Sequence, residues 1–374
     1  MTQPPTWGAP PPQQPGGWQG QPGPGGQWGP QQPWPAPVPP KKSGVAKWAI
    51  GAVSLVAVIA VTATVAVSCT KNSGGSSGGG GGTKTSAAPS DVASANDTGP
   101  VGIITEDPSC APWTPVINTL SDVEGDAWTT HDPSISPSAW TPELRALYES
   151  VGKAMRKAAD QAVPLAKMTT HRVMRELYGQ FIVYLRAYAD SIPNYRPIDD
   201  NLARAGSTAG DVITNICAAI SFGSAAARAS LIPAAEPPAS IAPIGNLSNP
   251  QRMFDAPDAV CAELGSTLNQ LLLDPAFKSW AATDPQIPAS KWSPELQSLT
   301  DAVVPVMFST ADGLGKLALK SSNPLVQDFM LLGVQYRRTF VQALPTYQAN
   351  DQYIYLAGQY APGVVLGACG YVAH

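Results

Sequence analysis

Apolar side chains recur every three or four residues over long stretches of the chain after residue 110, which is the spacing of a helix packed on one face. One such stripe comprises Leu144, Leu147, Val151, Met155, Ala158 and Ala162. A second stripe extends from Val173 to Ile192 and stops at Pro193, which cannot continue a helix. Alternation of the strand type is scarce. The pattern therefore predicts an all-α domain.

The helical pattern occurs twice. Residues 128–217 match residues 280–369 without a gap, with 26 identities in 90 positions, where chance would give roughly six. A hydroxyl residue, a proline and a glutamate begin a helix at Thr141 and again at Ser293. A shorter helix before Trp128 and another at the end of the copy would complete a four-helix unit.

Four cysteines lie at the ends of the two copies: Cys110, Cys217, Cys261 and Cys369. Four cysteines allow three connectivities. The duplication favours Cys110–Cys217 and Cys261–Cys369, because each copy then closes itself. Free thiols or a metal site are the alternatives, and cysteines this far apart without a CxxC pair suit a metal poorly. Disulfides require an oxidising compartment outside the cytoplasm.

The predicted architecture is two tandem disulfide-closed four-helix repeats outside one transmembrane helix, preceded by a disordered tail. Its segments are a tail at 1–45, a transmembrane helix at 46–69, a flexible linker at 70–109, repeat 1 at 110–222, an Ala/Pro-rich connector at 223–260 and repeat 2 at 261–374.

The membrane anchor is predicted from twenty uncharged residues between Trp48 and Val67, a helix of about 30 Å that matches a hydrocarbon core. Three lysines precede this stretch within seven residues, at 41, 42 and 47. The positive-inside rule then places the tail in the cytoplasm and the repeats outside the cell membrane. Cys69 leaves open a lipoprotein that is cleaved at this residue, although the preceding segment is long for a signal peptide.

The first forty residues contain 14 Pro, 8 Gln, 8 Gly and 4 Trp and no charge. Such a segment cannot form a helix or a sheet, so it is predicted to be disordered. Its tryptophans indicate either recruitment of a cytoplasmic partner or an inert spacer. Residues 85–374 carry 18 basic and 27 acidic side chains, and this negative charge argues against nucleic acid as a partner.

No catalytic, metal or cofactor motif is found in the sequence. His131, His171 and His374 are the three histidines, and the first two have no histidine at the equivalent position of the other copy. His131 beside Asp132 remains the candidate for an enzyme with one active repeat, but neighbouring residues rarely point at one another.

The aromatic and charged residues shared by both copies are the candidate binding residues. They are Trp128, Trp140, Tyr184, Arg186, Tyr195 and Asp199 in repeat 1, and Trp280, Trp292, Tyr336, Arg338, Tyr347 and Asp351 in repeat 2. The tryptophans form either an aromatic platform for a ligand or a buried plug over the helix start. The arginines either face a ligand or pair with the aspartates thirteen residues later. The tyrosines at 195 and 347 are expected to anchor the turn after the helix.

The uncharged Pro/Gly/Gln/Trp tail, the lysine-flanked span and the Gly/Ser tether at 73–82 together resemble single-pass envelope proteins of mycobacteria and related actinobacteria. This resemblance concerns layout and implies no functional residue. The chain is therefore expected to be a non-enzymatic envelope protein whose repeats bind an extracytoplasmic protein or a wall component, without a cofactor. The alternatives are an extracytoplasmic enzyme and a ligand-binding lipoprotein.

Overall fold

A computed structural model describes residues 91–372, which belong to one compact helical unit. Repeat 1 consists of α1 (Cys110–Thr129), α2 (Pro142–Met168), α3 (Arg172–Ser191) and α4 (Asp200–Ser221). The short α5 (Ser224–Arg228) begins the connector. Repeat 2 consists of α6 (Val260–Leu273), α7 (Pro275–Ala281), α8 (Pro294–Lys320), α9 (Pro324–Ala343) and α10 (Gln352–Val372). No strand occurs between residues 91 and 372, so the all-α prediction is confirmed.

The predicted tail, the predicted transmembrane helix and the first part of the linker lie outside the described residues. The same holds for Cys69 and His374.

The longest helices begin where the sequence predicts. The Thr141 hydroxyl accepts a hydrogen bond from the amide of Leu144 at 3.2 Å, and the Ser293 hydroxyl accepts one from the amide of Leu296 at 3.2 Å. Each hydroxyl satisfies one of the amides that a helix leaves free in its first turn. The start of α2 and the start of α8 are therefore the same capped structure.

The first helix of each repeat is interrupted near its C-terminal end, by a bend in repeat 1 and by a helix break in repeat 2. In α1 the helix bends at Gly125, whose φ of 51° is the left-handed conformation that glycine adopts readily. In repeat 2 the helix stops before Asp274, whose carboxylate accepts hydrogen bonds from the amides of Ala276 and Phe277 and starts α7. The four-helix plan is thus present in both copies, with the first helix divided in the second.

Both predicted disulfides are present. Cys110 is bonded to Cys217, and Cys261 is bonded to Cys369. Each joins the first helix of a repeat to its last helix. A closed loop of about 100 residues stabilises a fold by about 4–5 kcal/mol in the chain-entropy model.

The two repeats pack against each other through their last helices, α4 and α10. A Cβ atom added to Gly367 would lie 2.9 Å from the backbone of Ala205, and one added to Gly363 would lie 3.2 Å from the side chain of Thr208. Contacts this close require glycine, because any larger residue would separate the helices. Since the numbers rise along α10 as they fall along α4, the two helices run antiparallel.

Residues 91–109 form an extended strap, whereas the flexible linker was predicted to continue to residue 109. Val101 and Ile104 are both 4 % exposed, and the amide of Ala93 donates a hydrogen bond to the carbonyl of Lys167 at 2.9 Å. The prediction of a flexible linker is therefore wrong for residues 91–109. The segment forms no helix or strand, but burial of its apolar side chains against the helices fixes its path.

Of the described helices, α8 alone is long and apolar enough to cross a membrane, with a mean hydropathy of 1.3. It packs against α6, α7 and α9 in the interior of repeat 2. Its counterpart α2 occupies the same place in repeat 1 and carries an exposed charged face that includes Lys153, Arg156 and Lys157. The most apolar part of α8 is only 39% buried, and Leu319 near its end is exposed.

Candidate functional site

The shared tryptophans at 140 and 292 hold the loop that precedes the longest helices. The indole Nε1 of Trp140 donates a hydrogen bond to the carbonyl of Ile135 at 2.9 Å. The indole Nε1 of Trp292 makes the equivalent bond to Ile287 at 2.8 Å. Trp140 is buried and Trp292 is half-buried. A partly buried indole with its N–H satisfied is a structural arrangement in both copies.

The shared tyrosines at 195 and 347 tie the turn after the third helix to the same loop. The hydroxyl of Tyr195 donates to the carbonyl of Pro133 at 2.8 Å, and that of Tyr347 donates to the carbonyl of Pro285 at 2.7 Å. Burial raises the pKa of both hydroxyls, so both stay neutral donors at physiological pH. These tyrosines anchor the turn against the Asp-Pro loop.

The shared arginines form ion pairs, but their partners differ from those predicted. Arg186 donates to Asp160 at 2.6 Å, and Arg338 donates to Asp312 at 2.6 Å. Both aspartates lie on the preceding helix, and they are equivalent in the duplication. The predicted pairing with the aspartates thirteen residues later is therefore wrong, because those side chains lie in the next turn and have their own donors.

The shared aspartates at 199 and 351 accept hydrogen bonds from backbone amides of the turns that contain them. Asp199 Oδ2 accepts from the amide of Arg196 at 2.8 Å, and Asp351 Oδ2 accepts from the amide of Gln348 at 2.8 Å. Asp351 also accepts from the guanidinium of Arg228 on α5 at 2.8 Å. This last bond fastens the connector to repeat 2.

The shared tyrosines at 184 and 336 bind the extended segments that precede the opposite repeats. The hydroxyl of Tyr336 accepts a hydrogen bond from the amide of Ile104 in the N-terminal strap at 3.1 Å. Tyr184 lies against the backbone of Met253, which precedes repeat 2. Each repeat is thereby held by the segment that leads into the other.

At the centre of the cluster in repeat 1 lies the ring of Tyr148, which is fully buried. It stacks on Trp140, with centroids 4.0 Å apart and planes at 24°. It meets Trp128 and His131 edge-on at 5.3 Å, and Tyr195 edge-on at 5.0 Å. Burial raises the pKa of the Tyr148 hydroxyl to about 12. Repeat 1 therefore closes its aromatic cluster with its own tyrosine ring.

In repeat 2 the position equivalent to Tyr148 is Thr300, and the position equivalent to Ala203 is Tyr355. The ring of Tyr355 meets Trp280 at 5.3 Å and Phe340 at 5.0 Å, so the last helix supplies the ring in this copy, and a small hollow lies beside Thr300. The hollow has a volume of about 20 Å³, which is room for about one water molecule. Its lining consists of Trp280, Thr283, Asp284, Pro285, Ile287, Trp292, Leu296, Thr300, Leu344 and Tyr347. Three of the shared aromatic residues, Trp280, Trp292 and Tyr347, thus line this small hollow.

The hydroxyl of Thr300 is buried and has no hydrogen-bond partner among the described residues. Thr300 itself is 2 % exposed. A buried polar atom without a partner carries a desolvation cost, and in native structures such atoms are few. The hollow therefore offers apolar and aromatic walls together with one free polar group.

His131 forms part of the aromatic cluster of repeat 1. Its ring stacks on Trp128 with centroids 4.1 Å apart, and its Nδ1 donates to the carbonyl of the same residue. Asp132 instead accepts from the amide and hydroxyl of Ser134, at 2.9 and 2.7 Å. Neither side chain orients the other as the base and carboxylate of a catalytic triad would require.

The sequence analysis selected residues that the two copies share and so missed the position at which the copies differ. The signal was present in the alignment, where Tyr148 faces Thr300 inside an otherwise retained set of aromatic residues. A change from an aromatic to a small polar residue on a core stripe indicates lost volume. Only the structure shows that Tyr355 on α10 packs against the retained Trp280 instead.

Comparison with known proteins places the chain among mycobacterial proteins. A model of the family described as mycobacterial ESX-1 associated protein matches residues 92–373. An uncharacterised protein of Mycolicibacterium smegmatis (strain MKD8) is 48% identical over 326 residues, covering 87% of this chain and 86% of that protein. No solved structure matches the chain. The match spans the N-terminal strap, the connector and both repeats, and the chain belongs to the mycobacterial ESX-1 associated protein family.

Proposed function

We propose that this chain is a non-enzymatic, membrane-anchored envelope protein whose duplicated helical domain binds a protein of the ESX-1 secretion system. The binding role is assigned to the surface around the small aromatic hollow of repeat 2, where Trp292 and the rim residues 283–287 are partly exposed. The family supplies the class of partner, because its members are described by their association with ESX-1. The membrane anchor at 46–69 and the outward orientation of the repeats are part of the proposal.

The packing of the domain supports a binding role rather than turnover. Nearly every shared polar side chain has a bond that holds one helix or loop to another, as the pairs Arg186–Asp160 and Arg338–Asp312 do. A closely packed, rigid body suits recognition, since binding sites are usually largely preformed. His131, the candidate for the alternative enzyme, is engaged in the closed cluster of repeat 1.

The experiment uses the full chain in mycobacterial cells, with a photo-activatable benzoyl-phenylalanine at Gln286 on the exposed rim of the hollow. The matched control places the same group at the equivalent Ser134, which lies beside the closed cluster. Both positions are exposed. We expect light-dependent cross-links from position 286 to a component or secreted substrate of ESX-1, and much weaker ones from position 134.

The proposal is wrong if position 286 yields only cross-links within the chain itself. It is equally wrong if the two positions capture the same abundant envelope proteins to the same extent. Cross-links to cytoplasmic proteins would overturn the outward orientation of the repeats.

A further inference from the structure

We propose that the basic face of α2, formed by Lys153, Arg156 and Lys157, docks on the anionic headgroups of the membrane in which the chain is anchored. The inference rests on the proposed function, because it requires the membrane anchor at 46–69. It gives repeat 1 a lipid partner, whereas the proposed function gives repeat 2 a protein partner.

The basic face distinguishes α2 from its counterpart α8. Its three cations are spaced so that all lie on one side of the helix, and all three are exposed. The equivalent positions of α8 hold a proline, a phenylalanine and a serine. The two helices begin with the same cap, so the cations are an addition to repeat 1 and not part of the shared design.

Two of the three cations of the basic face are unpaired. Arg156 has an aspartate partner on α3 at 2.5 Å, and Asp160 on the same side of α2 is bound by Arg186 at 2.6 Å. Lys153 and Lys157 form no ion pair with the residues that the structure describes, and neither does the exposed glutamate one turn before Lys153. Residues 85–374 carry 27 acidic and 18 basic side chains. The basic face therefore attracts an anionic surface that the domain as a whole repels.

The chain enters the domain on the same side of α2. Asp91, the first described residue, pairs with Lys167 at 2.5 Å, and the amide of Ala93 donates to the carbonyl of Lys167 at 2.9 Å. Lys167 follows Lys153 by fourteen residues, which is close to four helical turns, so both side chains point to one side. The segment that leads to the anchor therefore meets the domain beside the basic face.

The short connection to the anchor makes a weak contact sufficient. Residues 70–90 separate the predicted span from Asp91, and a Gly/Ser-rich chain of this length has a root-mean-square span of about 25 Å. Lys157 lies about 15 Å from Lys167 along the helix. Docking is then an intramolecular step that requires little affinity. Each lysine close to an anionic leaflet raises the docked population about fivefold.

An apolar side chain at the tether end of this face favours lipid over an acidic polypeptide. Met168 is 42% exposed and follows Lys157 by eleven residues, about three helical turns. Lysine stems and an adjoining apolar side chain suit the headgroup layer of a membrane, where the charge stays in water and the apolar atoms reach toward the acyl chains.

The test measures acetylation of single lysines in the full chain, reconstituted in lipid nanodiscs and read by mass spectrometry. One set of nanodiscs contains phosphatidylcholine alone, and the other contains about 40% phosphatidylglycerol. We expect Lys153 and Lys157 to react at least about threefold more slowly on the anionic nanodiscs. Sodium chloride at about 0.5 M should restore the faster rate, because it screens the attraction.

Lys316 is the internal control for the reagent. It is exposed on α8, at the other end of the series of packed neighbours α2, α3, α4, α10, α9 and α8. Its rate should be the same on both kinds of nanodisc.

A charge-reversed chain, Lys153→Glu with Lys157→Glu, gives a second readout. Both side chains are exposed, so the fold is kept. Hydrogen peroxide is neutral, and its oxidation of Met168 is therefore not biased by the charge of the lipid. Anionic nanodiscs should slow this oxidation in the unmodified chain and leave it unchanged in the charge-reversed chain.

The inference is overturned if Lys153 and Lys157 react at equal rates on both kinds of nanodisc, or if Lys316 is slowed as much as they are. Shielding of the two lysines in intact mycobacteria but not on anionic nanodiscs would assign the basic face to an acidic protein and would equally overturn it.

Failure of this inference is distinguishable from failure of the proposed function. Shielding on the anionic nanodiscs without ESX-1 cross-links from position 286 would leave the inference standing and remove the proposed protein partner. Cross-links without shielding would do the opposite. A chain that does not remain in either kind of nanodisc would remove the anchor and this inference together.

Discussion

Two equivalent carboxylates, Glu176 and Asp328, are buried between the repeats with very different partners. Asp328 accepts hydrogen bonds from Arg172 at 2.7 and 3.1 Å. No donor reaches either oxygen of Glu176, whose nearest cations are Arg172 at 3.9 Å and Arg175 at 4.0 Å. Burial raises the pKa of Glu176 well above its ordinary value, and the charge of Asp328 raises it further. The native state therefore favours the protonated form of Glu176.

Glu176→Gln is predicted to stabilise the domain at neutral pH. A carboxyl group whose pKa is raised by folding loses native stability as the pH rises from the unfolded value of 4.5 through the raised value. Glutamine does not titrate, so the gap in unfolding free energy between variant and unmodified chain should widen over that range. Urea denaturation at pH 4, 5.5 and 7 measures the gap.

Asp328→Asn is the matched control and has the opposite expected sign. It leaves the buried Arg172 without its two-point partner, which should cost about 3 kcal/mol or more. Equal destabilisation by both variants at pH 7 would show that Glu176 is a needed ion-pair partner, contrary to this interpretation.

A reciprocal exchange of large and small residues explains why the core stripe of α9 contains a glycine. In repeat 1 a Cβ atom added to Gly210 would lie 3.1 Å from the ring of Phe181. In repeat 2 the same two positions are Gly333 and Pro362, and a Cβ on Gly333 would lie 2.9 Å from the proline ring. The total volume between the third and last helices is kept, which is how duplicated cores diverge without losing density.

At the scale of elements, the close contact between α4 and α10 joins the two repeats. Gly367→Ala places a methyl group 2.9 Å from the backbone of Ala205, which cannot rotate away as a flexible side chain can. We predict a loss of about 1–3 kcal/mol in unfolding free energy from overpacking.

Gly315→Ala on α8 controls for helix propensity, since its methyl group would meet only Val334, at an ordinary 3.9 Å. This variant should be neutral or gain up to about 1 kcal/mol. Guanidinium denaturation of both variants gives the comparison. If Gly367→Ala is as stable as Gly315→Ala, the two helices do not pack as closely as described.

Elements governed by local rules were predictable from the sequence. The starts at Thr141 and Ser293 follow from the cap. The ends of α3 and α9 follow from Pro193 and Pro345, each the second residue of the 3-10 turn after its helix. The disulfides followed from the duplication itself. Contacts between distant segments were not predictable, because no local pattern marks Ile104 as the partner of Tyr336.

At the scale of the whole molecule, the repeats are held by three kinds of connection. The last helices pack together, the buried Arg172–Asp328 pair joins α3 to α9, and the leading segments cross to the opposite repeat. Within this single body the two aromatic clusters have diverged, one built around Tyr148 on α2 and the other around Tyr355 on α10, with a small hollow beside Thr300. The sequence identified the shared residues, which have structural roles. It did not single out the position at which Tyr148 of one copy is Thr300 in the other.

The central claim is that the surface around the hollow of repeat 2 is the functional site of an ESX-1 associated protein. The most direct measurement is secretion of ESX-1 substrates by mycobacteria that lack the chain and are complemented with variants at position 300. Thr300→Ser keeps the hollow open and should restore secretion fully. Thr300→Tyr obstructs the hollow with a ring and should leave secretion as low as in the deletion strain. Full secretion with Thr300→Tyr present at normal levels in the envelope would contradict the claim.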